Sequence, residues 1–411
     1  MQTMTSPRTR FLPYGRQYIT QEDIEAVTSV LQSDWLTQGP SVPAFERELA
    51  RTVGADHAVA CANGTAALHI AMLALGIGQG DEVVTSPNSF LASANCARYV
   101  GAKVRFVDID PTSGLMDPAL LQKTLREDRK NVIKAVIPVH FAGQPTDLPA
   151  IYTLAHEHGA KVVDDACHAL GASYECDGQR VRVGSGRHSD MTVFSFHPVK
   201  HIAMGEGGAV ATNDEELTLR LSRYRNHGMQ KEDFENDAMA QSPTGEANPW
   251  YYEMQEAGFN YRLSDIHAAL GLSQLKRLAW SLERRQTLAD HYRRLLGETF
   301  APGGVRPLSL RDGVTHAYHL FTVQIDFDKF GVSRAEVMNE LRNRGIGTQV
   351  HYIPIHLQPY YRTVCGTKPG DCPNAEAYYE TALSLPMYPN LTGDDVNYVV
   401  ETLRDTLGRR L

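Results

Sequence analysis

Short apolar runs at 57–61, 82–85, 104–107, 133–140, 161–165, 191–196 and 208–212 alternate with amphipathic stretches at 65–75, 89–99, 118–126 and 148–158. Continuous apolar runs bounded by turn residues read as strands buried on both faces, and the stretches between them carry helical spacing. The alternation predicts an α/β fold with a large, mostly parallel sheet and helices on both sides. At 228–258 the pattern stops. That segment is polar, holds two prolines and ends near Trp250, Tyr251 and Tyr252. An irregular stretch of this length is functional or disordered, and the aromatic cluster favours a docking or lid element. A long helical pattern, with a bend, then runs from Ser264 to about 296. The segments 316–326, 333–344, 346–352, 375–383 and 394–407 read as a small α+β unit. The predicted organisation is a flexible tail over 1–12, a large domain over 13–263, and a linking helix with a small C-terminal domain over 264–411.

Bulk properties narrow the function. With 411 residues, 42% hydrophobic and 21% charged, the chain has the composition of an ordinary globular protein. A net charge of −8 gives no support for nucleic-acid binding or for a membrane-surface role. An anionic substrate must then be held by local basic groups. No run of about 20 apolar residues is present, so no transmembrane helix is expected, and the N-terminus lacks the apolar stretch of a secretion signal. Six cysteines show no C-x-x-C pair, which suits a reduced, cytoplasmic protein. Without zinc spacing or a His-Glu-x-x-His pattern, no metal is expected.

The chemistry centres on Lys200. It ends the run Phe194-Ser195-Phe196-His197-Pro198-Val199-Lys200, between two predicted buried strands and just ahead of Gly205-Glu206-Gly207-Gly208. A lysine held away from bulk water loses its proton and adds to a carbonyl as a Schiff base, whereas an ordinary surface lysine stays charged. Upstream, the apolar run Val162-Val163 ends in Asp164-Asp165. A carboxylate at a strand's carboxyl end suits a protonated pyridinium nitrogen, and the alternative is a helix cap. Further upstream, Asn63-Gly64-Thr65 opens a predicted helix after a short strand. Backbone N–H groups there make a phosphate site, or simply a turn and cap. In this order the three features point to pyridoxal 5′-phosphate.

At this point the chain resembles the DegT/StrS nucleotide-sugar aminotransferases, fold type I pyridoxal-phosphate enzymes of the aspartate aminotransferase-like class. The resemblance runs from about Pro13 to Leu407. It is carried by Tyr14-Gly15-Arg16, Trp35-Leu36-Thr37-Gln38-Gly39-Pro40, Asn63-Gly64-Thr65, Val139-His140-Phe141-Ala142-Gly143, Asp164-Asp165-Ala166, Phe194-Ser195-Phe196-His197 with Lys200, and Glu206-Gly207-Gly208. It implies that Lys200 is the Schiff-base lysine and proton carrier, and that Asp165 rather than Asp164 faces the ring nitrogen. Gly64, Thr65 and Ser195 would form the phosphate cup, Phe90 would stack on the ring, and His168 would lie near the phenolic oxygen. Asn260, in Gly258-Phe259-Asn260-Tyr261-Arg262, would reach the phosphate of the neighbouring subunit in a homodimer with shared active sites. Tyr14, Arg16, Arg262, His351 and Tyr352 are the substrate candidates, each with surface charge or interface packing as its alternative. His197 and His201 are read as structural.

Local likeness around Phe196-His197-Pro198-Val199-Lys200-His201-Ile202 and Val350-His351-Tyr352-Ile353-Pro354 is greatest to the branch serving pseudaminic acid synthesis. It implies amination at carbon 4 of a UDP-linked 4-keto-6-deoxy-N-acetyl hexose with L-glutamate as donor. Bacillosamine-type, perosamine-type or 3-amino sugars are the competing substrates. The family's dehydratases carry histidine in place of the lysine, so Lys200 speaks against that branch. A catalytically silent cofactor-binding regulator is the remaining alternative, and it would have been signalled by loss of the lysine, the aspartate or the cup.

Overall fold

Seven strands build the central sheet: β1 (His57–Cys61), β2 (Glu82–Thr85), β3 (Lys103–Phe106), β4 (Ile133–Ile137), β5 (Lys161–Asp165), β6 (Met191–Ser195) and β7 (Gly208–Thr212). The computed structural model describes residues 10–232, 234–300 and 303–408, so the first nine residues of the expected tail lie outside the described residues. The sheet order is β1-β7-β6-β5-β4-β2-β3. The pairs β2/β3, β2/β4, β4/β5 and β5/β6 are parallel, and β7 is antiparallel to both β6 and β1. All strands except β7 therefore point the same way, and their carboxyl ends open on one edge. The start of β7 returns to that same edge.

The strands are apolar on both faces because helices cover both. The helix Gly64–Ala74 is almost wholly buried, and its Ala-rich sequence lets it pack close to β6 and β7. Asn63 caps it, its side-chain oxygen accepting from the Ala66 N–H at 2.8 Å. Asp117, Asp147 and Asp214 cap other covering helices in the same way. The observed strands follow the predicted runs closely. The hairpin Ser173–Cys176 with Gln179–Arg182 did not stand out in the sequence, because Glu175, Arg180 and Arg182 on its open face break the apolar run.

The helix Asp265–Leu275 is followed, after a break at Lys276 and Arg277, by the 22-residue helix Leu278–Thr299, which is the bend foreseen in the long helical pattern. The helix leads into an antiparallel sheet of Val305–Pro307, Phe321–Ile325 and Ala382–Leu385. The helices Arg334–Asn343 and Gly393–Leu407 pack there around a second core that includes Tyr292, Phe321, Leu341 and Leu403. Leu12 belongs to this core and is only 1% exposed. Its N–H donates to the Gly345 carbonyl at 2.8 Å and its carbonyl accepts from Gly347 N–H at 2.7 Å. The expected tail is thus anchored at its end. The segment 346–352 forms no strand and makes two isolated bridges, Ile346 with Leu12 and Gln349 with Ser384. Within 228–258, Met229–Gln230 pairs with Glu253–Met254 and closes the polar segment into an arm with Trp250 73% exposed.

One close approach fixes the site's edge. A Cβ on Gly208 would lie 2.3 Å from the Asn63 carbonyl carbon and oxygen and 2.7 Å from Gly64 N. Only glycine lets β7 pass the turn that opens the buried helix. Gly208→Ala is expected to destabilise the protein by about 1–3 kcal/mol in urea unfolding, the usual cost of overpacking. Gly297→Ala meets nothing within 4 Å on an existing helix and is expected to be neutral or to stabilise by up to about 1 kcal/mol. Equal effects of the two would contradict the contact.

Candidate active site

Five of the six strands that end at the open edge deliver chemistry to it. Asn63, Gly64 and Thr65 follow β1, Ser89 and Phe90 follow β2, Val139 follows β4, Asp165 ends β5 and Ser195 ends β6. With Tyr14, His168, Lys200, His319, His351 and Tyr352 these residues line one chamber of about 620 Å³. That volume is in the range of small-molecule sites, and its place at the carboxyl ends of a parallel sheet is where such folds bind ligands.

The alternation of strand side chains separates the two aspartates. Asp165 turns toward the chamber. Its Oδ2 accepts from Ser93 Oγ at 2.5 Å and its Oδ1 from Cys167 N–H at 3.2 Å, so the carboxylate is held from two sides. Asp164 turns to the other face, fully buried, with Thr192 Oγ1 at 3.4 Å and His140 Nε2 at 3.6 Å. Burial raises the Asp164 pKa, with His140 opposing.

Lys200 stands on a turn whose N–H donates to the His197 carbonyl at 2.8 Å. It keeps part of its surface open to the chamber, yet protein surrounds it closely enough that burial lowers its pKa, with Cys167 and Asp165 acting in the opposite direction. Its Nζ lies 3.4 Å from His319 Nε2. His319 was missed in the sequence, since a lone histidine in an apolar run carries no signal of its own. Backbone pairing brings it there: Ala317 N–H donates to Gly143 O and Leu320 N–H to Ala142 O. Gly143 has φ +105°, and a Cβ on it would lie 2.8 Å from the His168 carbonyl and 2.9 Å from Tyr318 N. A glycine there lets the 317–320 segment drop onto Lys200.

The histidines around the lysine are held neutral. His319 stands 4.3 Å from the His168 ring, and His168 Nε2 is 3.2 Å from the Tyr352 hydroxyl. Burial, and after it the positive charge of Lys200, pushes the pKa of both His168 and His319 well below the usual histidine range. His351 is lowered to about 3 for the same reasons, with its Nδ1 2.8 Å from Ser384 Oγ. His201 is buried with its Nε2 2.9 Å from the Ala317 carbonyl.

The other expected site residues divide. Gly64 sits where a Cβ would meet Ser195 Cβ at 2.9 Å and Cys167 Sγ at 3.3 Å, so the turn packs directly against the end of β6. The Phe90 ring is 58% exposed and 6.4 Å from the Tyr352 ring. Tyr14 is 5.4 Å from the His351 ring. Arg16 is exposed and lines a neighbouring cavity rather than the chamber. Asn260 is exposed and absent from the chamber wall, and Arg262 donates to Asn226 Oδ1 at 2.7 Å in a separate surface groove. This chain does not bring those two to its own lysine. Ser93, the partner of Asp165, had no sequence signal beyond its place in a predicted helix.

The buried neutral histidines give a pH dependence of stability. In the unfolded chain they titrate near 6.5, and in the folded chain well below, so the unfolded state binds more protons between those values. Stability is therefore full above about pH 6.5 and lost as pH falls. Each of His168, His319 and His351 is expected to withdraw up to about 2 kcal/mol at pH 5. Urea midpoints of the cofactor-free protein at pH 7.5 and pH 5 check this, and equal midpoints would contradict the buried histidine layer.

The donor set suits a phosphorylated pyridine aldehyde. The helix start at Gly64 and Thr65 offers N–H groups beside the Ser195 hydroxyl, Asp165 offers a fixed carboxylate, and Lys200 offers an amine. His168 Nδ1 is buried without a partner among the described residues. The family model for the DegT/DnrJ/EryC1/StrS aminotransferase family matches residues 17–404. The spore coat polysaccharide biosynthesis protein SpsC of Bacillus subtilis is 43% identical over 403 residues, 98% of each chain. Helicobacter pylori PseC, an aminotransferase involved in the biosynthesis of pseudoaminic acid, superposes with a TM-score of 0.84 at 30% identity, covering 97% of this chain and 99% of its own. The sugar aminotransferase Spr1654 of Streptococcus pneumoniae, described as putative and solved in its PLP form, gives 0.84 at 27% identity over 98% and 100%. The family match over nearly the whole chain, on a fold whose strand-end chamber gathers Lys200, Asp165 and the Gly64–Thr65 turn, makes this protein a member of the DegT/DnrJ/EryC1/StrS aminotransferase family, a pyridoxal 5′-phosphate-dependent sugar aminotransferase.

Proposed function

We propose that the enzyme transfers the amino group of L-glutamate to carbon 4 of a UDP-linked 4-keto-6-deoxy-N-acetyl hexose, a step toward pseudaminic acid. The observation that carries the transamination is the convergence of Lys200, Asp165 and the Gly64–Thr65 turn on one chamber. Likeness to Helicobacter pylori PseC along nearly the whole chain supports the sugar. The higher identity to SpsC favours a second reading, in which another nucleotide-linked keto sugar is aminated for a surface polysaccharide.

When bound, pyridoxal phosphate carries the amino group between donor and sugar and withdraws electrons from the bonds being broken. The residues' roles follow from their places. Gly64, Thr65 and Ser195 hold the phosphate, Asp165 keeps the ring nitrogen protonated, Phe90 covers one ring face and His168 meets the phenolic oxygen. Lys200 anchors the cofactor and, once released, moves the proton between donor and acceptor carbons. Its lowered pKa supports that work, since a free amine accepts the proton that an ammonium could not. Tyr14, His351 and Tyr352 face the sugar. Arg16 and Arg262 are assigned to the diphosphate, and Asn260 of the partner subunit to the phosphate, in a homodimer whose two sites share residues. The expected domain division at 13–263 and 264–411 puts the cofactor on the first unit and His319, His351 and Tyr352 on the second.

Borohydride reduction of the yellow protein is expected to leave a pyridoxyl mass on the peptide carrying Lys200, and a mass on another lysine would overturn the assignment. Lys200→Ala is expected to bind cofactor but lose at least about 10²- to 10⁴-fold in kcat. On a panel of UDP-4-keto, dTDP-3-keto and GDP-4-keto-6-deoxy sugars with glutamate, turnover is expected to be best with the UDP-linked 4-keto N-acetyl sugar. Epimers are expected to be separated by roughly 10- to 200-fold, the span that packing differences allow. Turnover confined to a dTDP or GDP sugar would remove the proposed substrate and leave the aminotransferase intact.

A further inference from the structure

Two buried serines stand behind Asp165. Ser93 is 0% exposed and Ser89 is 3% exposed. They lie four positions apart, where the loop after β2 turns into the helix Ala92–Tyr99. Asp165 Oδ2 accepts from Ser93 Oγ at 2.5 Å, and Ser93 Oγ is 2.6 Å from Ser89 Oγ. Ser89 and Asp165 line the chamber, and Ser93 joins them from inside the protein.

A serine at a helix start ordinarily caps it or bonds back to a carbonyl of its own turn. Neither use accounts for this pair. Among the described residues no backbone N–H donates to either hydroxyl. Ser93 Oγ does lie 3.4 Å from the Phe90 carbonyl, but a hydroxyl has one proton, and the carboxylate is both nearer and charged. With that proton spent on Asp165, Ser93 can only accept from Ser89. The hydroxyls therefore point one way, from Ser89 to Ser93 to Asp165.

The carboxylate depends on them. Rotation about its Cβ–Cγ bond is soft, so hydrogen bonds decide where its oxygens face. The other hold on it, from Cys167 N–H to Oδ1, is the longer one at 3.2 Å. The main chain of Asp165 is fixed separately: its N–H donates to Pro138 O at 2.9 Å, and its carbonyl accepts from His140 N–H at 3.1 Å. Loss of the serines would free the side chain and leave the strand in place.

We propose that Ser89 and Ser93 are positioning residues, a one-way hydroxyl relay that aims the Asp165 carboxylate at the cofactor's ring nitrogen; this rests on Asp165 having the place proposed above. The relay touches only that end of the site. Gly64, Thr65 and Ser195 belong to β1 and β6, and the turn carrying Phe90 is held without the hydroxyls, by Ala94 and Asn95 N–H groups donating to Leu91 O at 3.2 and 2.8 Å.

The test is calorimetric binding of pyridoxamine 5′-phosphate and of its 1-deaza analogue, whose ring has C–H in place of the nitrogen. The wild-type protein is expected to prefer pyridoxamine phosphate by roughly 10- to 100-fold, the worth of a hydrogen bond to a charged group. Ser93→Ala is expected to cut that preference about 3- to 10-fold by weakening pyridoxamine phosphate alone. Ser89→Ala is expected to cut it by less, and it carries the test by itself should Ser93→Ala fail to fold. A preference unchanged in either variant, or equal weakening of both ligands, would overturn the relay and leave Asp165 its place. A wild-type protein without any preference would remove that place, and the relay with it.

Discussion

Burial of the Lys200 amine at the carboxyl edge of the sheet disfavours its ammonium form, and the surrounding residues answer to that one constraint. His319 reaches to 3.4 Å of Nζ and is itself kept neutral. His168 and His351 are neutral for the same reason, so the wall facing the lysine is polar without adding positive charge. Asp165 is the nearby carboxylate in the chamber, and Ser93 with the Cys167 amide fixes where its charge points. A lysine in this setting can exchange a proton with a carbon acid at neutral pH, which a solvated surface lysine does poorly.

The topology supplies the setting. Because β7 alone runs against the others, its first residue returns to the edge where the remaining strands end, and Gly208 passes within van der Waals distance of the Asn63–Gly64 turn. The turn, the end of β6 and the end of β5 are thereby packed as one rim. The C-terminal unit closes that rim from above: the 317–320 segment pairs with Ala142 and Gly143, and Arg285 fastens it to the long helix. The lysine is therefore enclosed where two hydrophobic cores approach each other, with Phe196, Ile202 and Ala317 in one and Tyr318 in the other.

Much of this was legible in the sequence for physical reasons. Strands buried on both faces leave continuous apolar runs, so the seven runs matched seven strands within a few residues. Lys200, Asp165 and Gly64 could be found because each stands where such a run breaks into polar or glycine-rich sequence. The hairpin at 173–182 was hidden because one face is solvated and charged. His319, Ser93 and Arg285 were hidden because their roles come from long-range contacts: Lys200 to His319 spans 119 positions and Ser93 to Asp165 spans 72. Asn260 and Arg262 show the opposite case. Their motif was conspicuous, yet they lie away from this chain's own chamber, where only a second subunit could give them the proposed role.

The account rests on Lys200 being a desolvated amine, and competitive acylation measures that directly. Cofactor-free protein would be labelled with trace acetic anhydride across a pH series, and the rate at Lys200 compared with that at the exposed Lys123 and Lys130 by peptide mass spectrometry. The account predicts that Lys200 reaches half-maximal intrinsic reactivity at a lower pH than either exposed lysine. Titration of Lys200 at the same pH as Lys123 and Lys130, or above it, would contradict it.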